Sequence, residues 1–100
     1  MSSDNSAVRF PDLYEGVITA HIIDGKTGAR DLEKVQAVRI ISGKYRLLIM
    51  ADYAPLLGKV DGTVTFICEG SEEEYAGIKA FYKHQHNTFT LIIDEREETT

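Results

Sequence analysis

Thr88-Phe89-Thr90-Leu91-Ile92-Ile93 alternates cleanly, with Phe89, Leu91 and Ile93 on one side of an extended chain and Thr88, Thr90 and Ile92 on the other. A period of two is the mark of a strand with one face turned to a core. The same pattern recurs at 63–68, where Val64, Phe66 and Cys68 oppose Thr63, Thr65 and Ile67. It recurs again at 45–50, where Tyr45, Leu47 and Ile49 align. Residues 17–23 (VITAHII) and 35–41 (VQAVRII) are further β-rich runs. In the second, Val35, Ala37, Arg39 and Ile41 share one face and Gln36, Val38 and Ile40 the other, so both faces are partly covered. Residues 75–82 (YAGIKAFY) read as a strand, because Gly77 and the aromatics Tyr75, Phe81 and Tyr82 lower helical propensity.

Turn signals separate these runs: Asp24-Gly25-Lys26-Thr27-Gly28, Ser42-Gly43, Asp61-Gly62 and Glu69-Gly70-Ser71. Residues 31–34 are ambiguous, a single helical turn capped by Asp31 being one reading, and Lys83-His84-Gln85-His86-Asn87 reads as a polar hairpin loop. No window sustains a 3.6-residue apolar period. The expectation is an all-β antiparallel sandwich (a flattened barrel) of about 7–8 short strands. One domain spans 9–95, with flexible tails over 1–8 and 96–100.

With 100 residues, 43% of them hydrophobic and 27% charged, the chain suits one globular core. The net charge of −5 and the scattered lysines and arginines argue against nucleic acid, which needs concentrated positive charge. Cys68 stands alone, so no internal disulfide forms, and its place in a strand reads as a small buried hydrophobe. No signal peptide and no apolar run of membrane-spanning length is visible, which points to a cytoplasmic protein.

Candidate chemistry is sparse. His84 and His86, at i and i+2, fall on one face of an extended segment and would face one metal, but a third ligand is missing and the ordinary reading is a solvated loop. Gly25-Lys26-Thr27-Gly28 resembles a phosphate loop only in its Gly-Lys-Thr, lacking the upstream glycine and the following helix. No nucleophile stands in an elbow motif, and no carboxylate pair is positioned for acid–base work. The expectation is no catalytic residue, no metal and no cofactor. The segment 51–62 (ADYAPLLGKVDG) is different: a proline followed by leucines fits an edge or a loop crossing between sheets, either core packing or an exposed contact. Tyr53, Ala54, Pro55 and Leu56 are the candidate partner-binding residues.

From Arg46 onward, RLLIMADYAPLLGKVDGTVTF resembles the ATP synthase epsilon subunit, in which a strand precedes a Gly-His-Ala-Pro-Leu loop and a further strand follows a Pro-Gly turn. Ala54, Pro55 and Leu56 match the Ala-Pro-Leu, Gly62 the turn glycine, and Val64 and Phe66 the next strand. VITAHIIDGKTG is similar to the family's opening strand and turn, VQAVRII to its second strand, and 81–94 with the closing DERE to its last hairpin. Tyr53 stands where the family has His, Asp52 where it has Gly, and Lys79-Ala80 where it has Gly-Gly. The helical hairpin that follows in the family is absent from this sequence, so its inhibitory and nucleotide-sensing roles are not carried over. The resemblance implies a non-catalytic β-sandwich that docks onto gamma and the c-ring in a proton-coupled rotor, peripheral to the membrane only through that complex. The alternatives are a free-standing β-sandwich adaptor for another protein and a small ligand- or metal-binding barrel using His84 and His86.

Overall fold

The computed structural model describes residues 17–96. Its elements are strands throughout: β1 (Ile18–Asp24), β2 (Gly28–Ser42), β3 (Arg46–Met50), β4 (Leu56–Cys68), β5 (Ser71–Gln85) and β6 (Thr88–Arg96). Five of them close into a barrel in the order β1-β2-β4-β5-β6, and β3 adds to the edge of β2. Around the barrel, successive strands are antiparallel, with β3 making an excursion between β2 and β4. An odd number of strands in such a path leaves the closing pair running the same way. β1 and β6 are accordingly parallel, from Thr19↔Thr88 to Asp24↔Ile93.

The all-β expectation holds, but the sandwich of seven to eight short strands does not. Five strands close a barrel and a sixth adds to its edge, and β2, β4 and β5 run for 15, 13 and 15 residues. Several signals taken for breaks are bends within long strands. Asp31 lies inside β2, so the expected helical turn is absent, and Asp61-Gly62 lies inside β4. The crossing loop expected over 51–62 ends at Pro55, before β4 begins. Likewise β5 runs on to Gln85, leaving His86 and Asn87 as the hairpin turn, with φ of 54° and 58°. Positive φ at both central residues gives the turn a twist that matches its strands.

Bulges make the bends. Between β1 and β2 the register gains a β2 residue near Lys34, whose φ is 61°. Between β2 and β4 the extra residue is Gln36, and between β4 and β5 it lies at Ala76-Gly77, with Gly77 at φ 65°. Each extra residue kinks a strand and increases its twist, which lets a few long strands curl into a closed wall. The Gln36 bulge also explains the two-faced pattern of residues 35–41. Val35 points inward before it, and Val38 and Ile40 point inward after it, all three fully buried.

The interior is largely apolar and rich in aromatic rings. Phe66 meets Tyr75 and Phe89 edge-on, at ring separations of 5.9 and 5.8 Å, and Tyr82 stacks on Phe89 at 5.7 Å. Phe66, Leu91 and Phe89 have no exposed surface, and Ile93 almost none. Val64 is fully buried and Cys68 partly so, as the alternation at 63–68 requires. Arg96, expected in the C-terminal tail, closes β6. The proposed tail over 1–8, and 97–100 of the other, lie outside the described residues, as do 9–16 of the expected domain.

Candidate functional site

The loop at 51–55 joins β3, an edge strand, to β4, a barrel strand, and it is fixed at both ends. The Tyr53 amide donates to the Met50 carbonyl at 3.1 Å, closing a tight turn. Asp52, at φ 68°, then forms a two-bond clasp with Asn87 in the β5–β6 turn. Its amide donates to Asn87 Oδ1 at 2.6 Å, and Asn87 Nδ2 donates to Asp52 Oδ1 at 3.1 Å. Asn87 is itself tied to β1, its carbonyl accepting from the Thr19 amide at 3.0 Å.

The clasp holds Tyr53 outward, 41% exposed, with Ala54 and Pro55 also exposed. Leu56 differs from the other three candidate residues: it is partly buried and packs on the core. The next side chain, Leu57, is 76% exposed, the most open large hydrophobic described. On the other side of the loop, Leu48 and Met50 face out from β3, beside Ile41 of β2. Together with Ile67, Arg39 and Arg46 these line a shallow apolar groove on the outer wall of β3, β2 and β4. The sequence singled out the loop but missed the strand leading into it. Leu48 and Met50 occupy the second face of YRLLIM, which lies on the outer wall.

Beneath this edge lies a tyrosine relay. Tyr45 Oη donates to the Lys59 carbonyl, so the 2.9 Å contact between Tyr45 Oη and Tyr82 Oη has Tyr82 as donor. Burial first, and then the bond to Tyr45, raises the Tyr82 phenol far above its ordinary value. The Tyr82 ring lies where a side chain at Gly58 would sit, so the start of β4 can pass over it only as glycine.

The histidines do not converge. His84 points into the barrel with no exposed surface, and His86 is in the exposed turn. The shared face required an extended chain through both, and the turn at His86 ends it. His21 Nδ1 contacts Asp31 Oδ1 at 2.7 Å on the outer wall. Among the described residues, no group of three or more His, Cys, Asp or Glu is placed to hold a metal ion. Gly25-Lys26-Thr27 forms the β1–β2 turn, where the Lys26 amide and Arg96 Nη1 both donate to the buried Asp24 carboxylate at 2.8 Å. The Lys26 amide is the main reason that carboxyl sits below its ordinary range; burial opposes the shift and Arg96 assists it. No described helix is long and apolar enough to cross a membrane. No protein-family model and no curated protein matches the chain.

Proposed function

We propose that the barrel is a non-catalytic protein-interaction module whose contact edge runs from β3 through the 51–55 loop to Leu57. The observation that carries this is the clasp: a loop tied at Asp52 to another hairpin holds an exposed tyrosine between β3, with exposed Leu48 and Met50, and the start of β4, with exposed Leu57. An amphipathic ring held in advance loses little freedom on docking, and tyrosine is enriched where binding energy concentrates. Nothing in this edge makes or breaks a bond; its chemistry is apolar burial with a hydroxyl at the rim.

In the form that the resemblance to the epsilon subunit suggests, the partners are gamma and c-ring subunits of a rotor. The closed barrel departs from that family's sandwich, so the proposal rests on the edge rather than on the family. Purified gamma and c-ring are therefore defined probes for one form of it. Tyr53→Ala, measured for both melting temperature and capture of these probes, tests that form. The expected result is near-intact folding with capture weakened at least about tenfold, or ~1.4 kcal/mol. Wild-type protein that captures neither probe removes the rotor form, and a variant that unfolds removes the contact role of Tyr53.

A further inference from the structure

β3 pairs with β2 from Ala37↔Met50 to Ile41↔Arg46, and no described strand pairs along its other side. Alternate backbone groups of an edge strand point away from its neighbour, offering unmade hydrogen bonds to any extended chain laid alongside. Proteins usually blunt such edges with charge, proline or a bulge. Here the five-residue strand carries no bulge against β2 and no proline. Its outward side chains are Arg46, Leu48 and Met50, the last two 48% and 54% exposed. The inward ones, Leu47 and Ile49, are also apolar.

The charges on this wall oppose those of the molecule. The chain carries −5 overall, yet the charged residues lining the groove are Arg39 and Arg46. Arg39 is engaged by Glu72 at 3.7 Å, whereas Arg46 makes no ion pair among the described residues. We infer that β3 accepts, along its open edge, an extended segment of a partner protein that carries a carboxylate two residues from an apolar side chain. Main-chain bonds to β3 supply the docking geometry. A carboxylate opposite Arg46 and an apolar group opposite Leu48 supply the selectivity, since directly facing cross-strand pairs are the unit of sheet stabilisation. The inference rests on the proposed interaction edge and specifies how that edge is used.

The probe is a displayed library of ten-residue peptides, selected on the intact chain and mapped by amide shifts and hydrogen exchange. The expected outcome is enrichment of β-branched sequences with an acid two positions from an apolar residue. Binding should slow exchange at Arg46–Met50, and N-methylation of alternate peptide amides should abolish it. Arg46→Glu should weaken the selected peptides at least about threefold and favour lysine at the same position. Three results overturn the inference: enrichment of helical i, i+3, i+4 spacing, binders that leave β3 exchange unchanged, or indifference to charge at residue 46. Binders that map to Tyr53 and Leu57 alone would refute strand addition while keeping the proposed edge, and an empty selection would count against both. A concentration-dependent dimer in sedimentation that Leu48→Lys abolishes would assign the edge to a second copy of this chain and refute the inferred partner.

Discussion

His84 is fully buried beside Phe89, and neither ring nitrogen has a hydrogen-bond partner among the described residues. Burial holds its pKa below the ordinary 6.5, so the folded protein binds this proton less tightly than the unfolded chain does. Stability from this group is therefore complete above about pH 6.5 and is lost as pH falls below it. Asp24 acts in the same direction at lower pH: its carboxyl is held below the ordinary 3.8, and its contribution fades as pH drops through and under that value. The melting temperature should thus fall from about pH 7 to 5.5, and His84→Phe should flatten that interval while leaving the deeper acid limb. An unchanged slope in the variant would show that the imidazole is not the titrating group. Gly58→Ala should cost about 1–3 kcal/mol in chemical denaturation, because the added methyl must displace the Tyr82 ring from its bond to Tyr45. Gly58 did not announce itself in the sequence, and the burial of His84 did not either. His84 and His86 looked like a pair because periodicity cannot tell a strand's last inward residue from the first residue of its turn.

At the level of elements, the alternating runs were legible because a half-buried strand must alternate. Phe89, Leu91 and Ile93 all point inward, and Leu91→Ala should cost about 2–5 kcal/mol in a denaturant titration. A loss under about 0.5 kcal/mol would mean that this strand's buried face is assigned wrongly. What the sequence concealed was continuity. Gly62 sits where a Cβ would strike the Ile41 carbonyl, so its glycine serves a close strand approach rather than the turn that Asp-Gly suggests. Gly77 serves a bulge in the same way. A glycine demanded by sterics inside a bent strand is indistinguishable in one sequence from a glycine that ends a strand. The edge character of β3 depends on where β1 and β4 pair along β2, which no local pattern encodes. Leu48→Lys should accordingly leave the melting temperature within about 2 °C of wild type, because an exposed edge position contributes little to the core. A large drop would show that this face is covered in the folded chain.

For the whole molecule, the account joins a closed wall to one clasped, apolar edge. The Asp52–Asn87 clasp spans 35 residues and has no sequence signature, yet it ties the apolar loop to the β5–β6 turn. Tyr53, Ala54, Pro55 and Leu56 were legible as candidates because leucines after a proline make an apolar loop and because Ala-Pro-Leu matches the resembled motif; that Leu56 turns inward at the start of β4 could not be seen. The central claim is that partners meet this edge and not the outer wall of β5, β6 and β1, where Phe81, Ile92 and Ile23 are also exposed. Photo-crosslinking tests it most directly, with a benzophenone side chain placed in turn at Tyr53, Leu48, Phe81 and Glu74 of the full chain in its native host. The account predicts a discrete protein adduct from positions 53 and 48, lost on Asn87→Ala at position 53, and none from 81 or 74. Adducts confined to position 81, or spread evenly over all four, would contradict it.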